Sequence, residues 1–266
     1  MSGFHYPTAN DILDGMSDAH RHLVVTVRDV LDSTNSEAKR NAGAEGDAPT
    51  LTLARAQTAG RGRLGRSFHS PADTGLYMSL SYLTRRPLDT AVTVTAVAAV
   101  AVTQAIESLT GKAPVIKWVN DVYLDGAKVS GILTEAIPLP DKGANRVIVG
   151  IGINVTTRDF PDGLRAPAAA IASPDDAPDT GLLASAVIDR LMTYIDAIED
   201  GTPDADCLRF YRERSVLVGE TVICTRGNES FTATVRGIGE DYSLLLTLED
   251  GTALAMSSGE VSVRKI

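Results

Sequence analysis

Residues 60–66 read GRGRLGR, with glycine and arginine alternating around one leucine. Glycine lets the backbone approach a ligand closely, and arginine offers a planar, permanently charged fork that matches phosphate and carboxylate oxygens. The pattern predicts an anion-binding loop built on Arg61, Arg63 and Arg66. Ordering seven residues costs backbone entropy, and like charges repel one another. We therefore expect the empty loop to be a mobile lid that closes when an anion offsets its charge.

The same segment matches the dinucleotide-binding spacing GxGxxG through Gly60, Gly62 and Gly65. That fingerprint begins a helix and is followed about 20 residues later by an acidic residue. Here residues 67–75 continue a loop, and residues 80–88 contain no acid. The spacing therefore does not indicate a Rossmann fold.

Four further polar segments stand beside predicted elements. Ser33-Thr34-Asn35 opens a helical stretch, and Glu37, three residues after Thr34, predicts a capping box. Residues 117–121 (KWVND) and 128–132 (KVSGI) flank a hairpin turn signal, Asp-Gly, at 125–126. Residues 150–154 (GIGIN) interrupt a buried strand with glycines, which mark either a bulge or the close approach of a ligand.

Periodicity places these segments at the ends of regular elements. The anion-binding loop joins two paired strands, and residues 156–180 are predicted to be a long surface loop. From residue 215 onward, short strands alternate with turns at 226–228, 239–241 and 250–251, which is typical of a small β-barrel or sandwich. The predicted strands are 23–30, 50–56, 75–83, 115–118, 128–137 and 147–155, and the predicted helices are 8–20, 89–109, 180–199 and 204–214.

Composition excludes several classes of protein. A formal net charge of −9 and a pI near 4.9 over 266 residues argue against a non-specific nucleic-acid binder. The two cysteines lack CxxC spacing and the first 25 residues lack a signal peptide, so we expect a cytoplasmic protein. The apolar residues 91–102 are too few to span a membrane and predict a buried helix. The histidines lack metal-ligand spacing, and no GxSxG nucleophile elbow is present.

In this order and at these separations, the five polar segments resemble the biotin–protein ligases over nearly the whole chain. The resemblance implies an α+β fold: a mixed, largely antiparallel sheet with flanking helices, similar to class II synthetases, over residues 1–214. A small SH3-like β-barrel would follow over residues 215–266. The implied activity joins biotin to ATP as biotinyl-5′-adenylate and then transfers biotin to a lysine of a biotin carboxyl carrier domain.

The resemblance also implies ligands and partners. Biotin and ATP are the substrates, with Mg²⁺ accompanying ATP, and the metal ligands are left open. The acceptors would be carrier domains of acetyl-CoA or acyl-CoA carboxylases and of pyruvate carboxylase. DNA is not expected as a partner, because only about 22 residues precede the first strand, too few for a winged-helix domain. A membrane is not expected either, because the apolar stretch 91–102 is short. Monomer and weak dimer both stay open.

Site residues carry over from the matching motifs. Lys128, Arg63 and Asp121 are implied as catalytic. Lys128 and Arg63 would be the cations that stabilise charge when the biotin carboxylate meets the α-phosphate. Asn120 and Asp121 have two open roles, beside the nucleotide with its Mg²⁺ or beside the incoming lysine. Gly150 and Gly152 would let adenine and ribose lie against a strand. The implied biotin-binding residues are Ser33, Thr34, Asn35, Gln57, Gly60, Arg61, Gly62, Arg63 and Lys128. The implied ATP-binding residues are Arg63, Arg66, Lys117, Asn120, Asp121, Lys128 and Asn154.

Three positions depart from the family pattern: Val119 stands where proline is usual, Leu64 where a third arginine sometimes lies, and Ser130 where alanine is common. None removes a charged contact. Two alternatives stay open. One is a lipoate–protein ligase, which shares the architecture, and the other is a biotin-binding regulator without ligase activity.

Overall fold

The computed structural model describes residues 4–44, 46–87, 91–164, 166–202, 204–226, 228–257 and 260–263. Its helices are α1 (Ala9–Asp14), α2 (Thr34–Asn41), α3 (Ala91–Thr110), α4 (Thr180–Glu199) and α5 (Ala205–Arg214). Its strands are β1 (Val24–Leu31), β2 (Thr50–Gln57), β3 (Gly75–Thr84), β4 (Val115–Lys117), β5 (Asp121–Leu124), β6 (Ala127–Leu139), β7 (Ala144–Asn154), β8 (Thr221–Arg226), β9 (Glu229–Ile238), β10 (Leu244–Leu248), β11 (Ala253–Met256) and β12 (Glu260–Val263).

The first seven strands form one mixed sheet in the order β1-β2-β3-β7-β6-β5-β4. β1 and β2 run parallel, and the other neighbours are antiparallel. β2 and β3 pair with Ala54 opposite Tyr77, so the loop of residues 58–74 connects paired strands, as expected. The prediction of a mixed sheet with flanking helices is confirmed.

Strand register gathers the polar segments at one end of this sheet. Gly75, at the start of β3, lies opposite Asn154, at the end of β7. Gly131 of β6 lies opposite Gly152 on one side and opposite Asp121 on the other. The segments around residues 60, 120, 130 and 152 therefore meet although they are far apart in the chain.

The two faces of the sheet carry different helices. Consecutive residues of a strand point to opposite faces. On β6, Thr134 accepts a hydrogen bond from Thr95 of α3 at 2.8 Å, whereas Glu135 accepts one from Asn35 of α2 at 3.0 Å. α3 therefore covers one face, and α2 lies on the other.

Helix α3 forms the centre of the core. Its 20 residues span on the order of 30 Å, so the helix is long enough to cross a membrane, contrary to the length argument from sequence. Two-thirds of its apolar stretch, however, is buried inside the protein, and residues 96–102 are all fully or nearly fully buried. It packs against α4 and the sheet. The prediction of a buried helix is confirmed.

The last five strands form a separate antiparallel sheet in the order β11-β10-β9-β8-β12. Among the described residues no ladder joins β11 to β12, so an SH3-like barrel stays a prediction. This sheet contacts the large one through Tyr242, whose carbonyl accepts a hydrogen bond from Trp118 Nε1 at 2.8 Å. The Tyr242 ring also packs edge-on against Tyr211 of α5, with ring centres 5.3 Å apart.

Two local predictions are wrong. The first helix ends at Asp14 instead of continuing to residue 20. The capping box also fails, because Ser33 and not Thr34 occupies the N-cap position. Glu37 is consequently the fourth residue after the N-cap, whereas a capping box needs the third. Its Oε2 accepts a hydrogen bond from Arg40 Nη2 at 2.6 Å instead. The predicted helix 89–109 begins outside the described residues. The predicted turn 226–228 also lies partly outside them.

His20 attaches the chain before β1 to α4. Its side chain is buried, with Nδ1 2.7 Å from Asp189 Oδ1 and Nε2 3.1 Å from Asp196 Oδ2. Ser17 donates to the same Asp189 oxygen from its backbone and its hydroxyl, at 3.1 and 2.7 Å. Burial alone would raise the pKa of Asp189, but the hydrogen bonds from Ser17 and His20 outweigh it and lower that pKa.

We expect Asp189→Asn to reduce the free energy of unfolding by about 1–3 kcal/mol at pH 7, because charged acceptors of buried donors are costly to remove. A carboxyl with a lowered folded pKa stabilises the protein above its unfolded pKa, near 3.9. That contribution is lost as the pH falls through the lowered folded value. Urea unfolding measured from pH 7 down to pH 3 should therefore show the gap between wild type and variant closing below about pH 4.

Asp196→Asn is the matched control, because the Asp196 side chain is 65% exposed whereas that of Asp189 is 27% exposed. A smaller loss is expected from it. Equal losses from both variants, or a gap that does not narrow between pH 4 and pH 3, would contradict this account.

Candidate active site

A cleft opens at the end of the large sheet where the polar segments meet, on the face that carries α2. Its cavity volume is about 50 Å³. Small-molecule sites usually measure roughly 300–1,000 Å³, so a nucleotide-sized ligand enters only if a wall moves. The lining residues are Ser33, Thr34, Asn35, Gln57, Arg61, Gly62, Arg63, Phe68, Asn120, Lys128, Gly131, Ile132, Leu133, Gly150, Ile151 and Gly152.

Hydrogen bonds to neighbouring strands orient the N-terminus of α2. Thr34 donates from its backbone N–H and its hydroxyl to Gln57 Oε1, at 2.8 and 3.3 Å. Ser79 Oγ of β3 lies 2.8 Å from Thr34 Oγ1 and 2.6 Å from Asn35 Oδ1. Gln57 Nε2 donates to Ser70 Oγ at 2.8 Å. These contacts give the polar wall one geometry before any ligand binds.

The arginine-glycine loop is a short hairpin. At its base the Phe68 N–H donates to the Gly60 carbonyl at 2.8 Å, and the Gly62 N–H donates to the Arg66 carbonyl at 2.7 Å. At its tip Leu64 and Gly65 have φ values of 56° and 73°. This left-handed conformation costs a non-glycine residue on the order of 1–2 kcal/mol. Gly65 adopts it without that penalty.

Arg61 is held by a carboxylate of the protein itself. Its two terminal nitrogens donate to the two oxygens of Glu135, at 2.8 and 3.0 Å. Paired donors of this kind are among the stronger hydrogen bonds in proteins. The expectation that only a bound anion offsets the loop charge is therefore wrong for Arg61.

The three residues implied as catalytic are connected through Asn120. Arg63 donates to Asn120 Oδ1 at 2.9 Å, and Asn120 Nδ2 donates to Asp121 Oδ1 at 2.9 Å. The same Asp121 oxygen lies 2.6 Å from Lys128 Nζ. The loop arginine and the strand lysine are thus fixed relative to each other by two side chains of the turn that begins β5.

The glycines of β7 make room for side chains of the protein. A Cβ at Gly150 would overlap the Asn35 amide, and one at Gly152 would lie 2.5 Å from the Phe68 ring. Gly131 faces the same ring and the end of Lys128. Both glycines line the cleft, with the Asn35 amide and the Phe68 ring beside them, so their contact with adenine and ribose stays a prediction.

The remaining predicted site residues lie around the cleft and not in its lining. Gly60 is buried at the base of the loop, and Arg66 is exposed. The Lys117 Nζ lies 5.7 Å from the centre of the Tyr123 ring. Asn154 Nδ2 donates to the carbonyl of Ala169 at 3.2 Å. Lys117 and Arg66 therefore do not join the group that converges in the cleft.

The oxygen atoms of Asp121 and Asn154 suit the magnesium ion of a magnesium–nucleotide complex better than a metal ion that the protein would hold by itself. No group of three or more histidine, cysteine, aspartate or glutamate side chains suited to a metal occurs in the described part of the chain. The Asn154 Oδ1 atom, however, is buried and accepts no hydrogen bond from the described residues. Carboxylate and amide oxygens are suitable Mg²⁺ ligands, so Asp121 and Asn154 are each candidate ligands for the ion that would arrive with ATP.

Sequence reasoning missed several residues of the site. Glu135 and Phe68 had no motif of their own, and Ser70, Ser79 and Lys39 look like ordinary surface or strand residues. Only the positions of Glu135 and Phe68 in the chain could have indicated that they belong to the site. Glu135 lies four residues after Gly131 on a strand, on the same face, and Phe68 follows the loop directly.

The mixed sheet, the cationic cleft at its end and the small antiparallel sheet define the fold of the biotin protein ligases. The solved biotin protein ligase from Aquifex aeolicus in complex with biotin and ATP is similar with a TM-score of 0.74 and 28% sequence identity. The similarity covers 91% of this chain and 99% of that one.

Sequence comparison agrees with the fold. The model of the biotin/lipoate A/B protein ligase family matches residues 27–154. The bifunctional ligase/repressor BirA of Bacillus spizizenii is 34% identical over 87% of this chain and 71% of its own length. The biotin–[acetyl-CoA-carboxylase] ligase of Mycobacterium tuberculosis is 30% identical over 94% of this chain and 92% of its own. The chain belongs to the biotin/lipoate A/B protein ligase family, and the predicted resemblance is confirmed.

We expect Gly150→Ala to reduce the free energy of unfolding by about 1–3 kcal/mol, because the new methyl group would displace the Asn35 amide. Urea unfolding measures the loss. Gly237→Ala is the control, since a Cβ on Gly237, also in a strand, meets no atom within 4 Å. Equal stability of the two variants would show that Asn35 is not fixed against β7.

Proposed function

We propose that this protein is an ATP-dependent biotin–protein ligase. The observation that carries the proposal is the convergence of Arg61, Arg63 and Lys128 in one cleft whose opposite wall is polar and uncharged. Such a cleft matches a ligand with a neutral hydrogen-bonding ring at one end and an anionic centre at the other. Biotin meets this description through its ureido ring and its carboxylate. The named ligases among the relatives support the same substrate.

In the first step a biotin carboxylate oxygen attacks the α-phosphorus of ATP. A carboxyl–phosphate bond forms, the bond between the α- and β-phosphates breaks, and pyrophosphate leaves. Two anions must approach each other, so cations are needed where the charge builds. Lys128 and Arg63 take this role at the phosphoryl oxygens, and Arg61 takes the carboxylate. The magnesium ion that accompanies ATP would shield the phosphates, held by Asp121 and Asn154.

The biotin ring would be recognised by the wall at the start of α2. A buried ureido group needs a donor for its carbonyl and acceptors for its N–H groups. Ser33, Thr34 and Gln57 offer both kinds of atom. Asn35 fixes the wall against β7, and the backbones of Gly60 and Gly62 close it. On the nucleotide side, Asn120 and Asp121 follow Arg63 and Lys128 along the hydrogen-bonded chain.

Arg66 and Lys117 complete the proposed nucleotide set from outside the lining. Both would have to turn toward the phosphates when the wall moves. Their present positions make them the weakest members of the set, and Arg63, Asn120 and Lys128 the strongest.

In the second step an acceptor lysine attacks the acyl carbon of the adenylate as a free amine, and AMP leaves. The pKa of a free lysine is about 10.4, and a nearby carboxylate would raise it further. Asp121 is therefore better suited to orient the incoming ammonium group than to deprotonate it. The mixed anhydride supplies the activation. The acceptor would be a biotin carboxyl carrier domain of acetyl-CoA or acyl-CoA carboxylase or of pyruvate carboxylase.

We further propose a catalytic unit of residues 1–214 and a small domain of residues 215–266. The end of α5 at Arg214 and the start of the second sheet at Thr221 support this division. We place the reaction in the cytoplasm, where carboxylases work. The free, buried thiols of Cys207 and Cys224 suit a reducing compartment.

Isothermal titration calorimetry distinguishes biotin from lipoate. We expect biotin to bind alone, and binding to become far tighter with ATP because the adenylate forms and is retained. Lipoate lacks a ureido group and would leave the polar wall unpaired, which should cost it on the order of 10⁴-fold in affinity. Tighter binding of lipoate would favour a lipoate–protein ligase. Biotin binding without ATP-dependent pyrophosphate release would favour a regulator without ligase activity.

We expect Lys128→Ala to reduce the rate of pyrophosphate release by on the order of 10²–10³-fold, the usual effect of removing a group that stabilises transition-state charge. Coupled detection of pyrophosphate measures it. Lys142→Ala is the control, because Lys142 pairs with Asp47, far from the cleft. An unchanged rate in Lys128→Ala would refute the role of this lysine.

A further inference from the structure

Glu135 receives hydrogen bonds from three separate side chains. Arg61 of the loop binds it through two nitrogens, at 2.8 and 3.0 Å. Lys39 of α2 donates at 2.6 Å, and Asn35 at the start of α2 donates at 3.0 Å. The Glu135 side chain is 17% exposed. One carboxylate thus joins the loop to the start of α2 on the opposite wall of the cleft.

The charges around Glu135 favour its contacts with Arg61 and Lys39. Burial would raise the pKa of Glu135, but the hydrogen bonds from Lys39, Asn35 and Arg61 outweigh it and lower that pKa. The carboxylate is therefore ionised at neutral pH, beside two cations. The planar fork of arginine fits both carboxylate oxygens at once, which a lysine cannot do.

We propose that Glu135 is a positioning residue that holds the hairpin of residues 60–66 closed over the cleft by binding Arg61. This role rests on the proposed ligase function for its purpose, the retention of biotin and its adenylate. Glu135 does not line the cleft. It acts through Arg61 and not on the reacting atoms.

The position of the hairpin explains why the contact between Glu135 and Arg61, here called the latch, is required. Its tip is exposed: Leu64 is 69% accessible and its backbone is left-handed, so the tip itself adds little to holding the hairpin down. Its backbone hydrogen bonds join the hairpin only to itself and to residue 68. Arg61 to Glu135 and Arg63 to Asn120 are two side-chain links from the hairpin to the cleft walls. Breaking the first removes the paired hydrogen bonds that hold Arg61.

Limited trypsin digestion tests the latch without any ligand. The hairpin contains three arginines, so an open hairpin offers three cleavage sites. We expect Glu135→Gln, which keeps the shape and removes the charge, to accelerate cleavage within residues 61–66 by on the order of tenfold. Mass spectrometry of the first fragments locates the cuts. Thermal unfolding of the variant confirms that it is folded during digestion.

Lys39→Met is the matched control, because it removes the other cation of Glu135 and leaves the Arg61 pair intact. It should be cleaved in the hairpin at the wild-type rate. Arg61→Lys keeps the positive charge and a trypsin site but loses the paired geometry, and should behave like Glu135→Gln. The double variant Arg61→Lys/Glu135→Gln should be cleaved no faster than either single variant. Wild-type cleavage in Glu135→Gln and Arg61→Lys, or equal acceleration by Lys39→Met, would overturn the proposal.

Kinetics then connect the latch to ligation. Glu135→Gln should raise the KM for biotin and accelerate adenylate release by on the order of tenfold, seen as biotin labelling of an unrelated bystander protein, with kcat for adenylate formation changed less than threefold. Glu135→Asp, which restores the charge on a shorter side chain, should fall between wild type and Glu135→Gln. A fall in kcat with unchanged KM would instead assign Glu135 to the chemical step. If wild type itself lacks biotin-dependent activity, the proposed function fails while the digestion result still decides the latch.

Discussion

Three cationic side chains share one narrow cleft, and each is held by an oxygen atom of the protein. Arg61 rests on Glu135, Arg63 on Asn120 and Lys128 on Asp121. Like charges at short range repel, and partial burial penalises each of them unless an acceptor is near. The acceptors therefore make the cationic site compatible with folding before a ligand arrives. An anionic ligand then meets charges whose positions are already set.

The acceptors come from one continuous piece of the sheet. Asn120 and Asp121 lie at the start of β5, and Glu135 lies farther along β6, beyond the Asp125-Gly126 turn. This turn has positive φ at both residues, as a tight hairpin requires, and together with a register shift between Val122 and Tyr123 it fixes which residues of β5 and β6 face each other. A shift by one residue would send Glu135 to the α3 face and separate it from Arg61. The hairpin register thus determines the electrostatics of the cleft.

Local patterns predicted much of this protein because they depend on neighbouring residues. The long helices, the β5–β6 hairpin and the glycine-arginine loop were found where periodicity and turn chemistry placed them. Failures came where distant residues compete for the same atoms. Thr34 does not cap α2 because Ser33 holds the N-cap position, while Thr34 bonds to Gln57, 23 residues away. Likewise, the spacing of Gly150 and Gly152 could not show that the Asn35 amide of α2 and the Phe68 ring lie beside them.

The sequence by itself determined the chemistry available to the site: which anion-binding, hydrogen-bonding and metal-compatible groups exist, and in which order along the chain. Only the tertiary structure decided which of these groups meet. Glu135 is 74 residues from Arg61 and 100 from Asn35, and no local spacing relates them. Their contact follows from strand order, from strand register and from the face on which α2 packs. Each of these depends on burying the whole sheet, a constraint that acts on the entire chain.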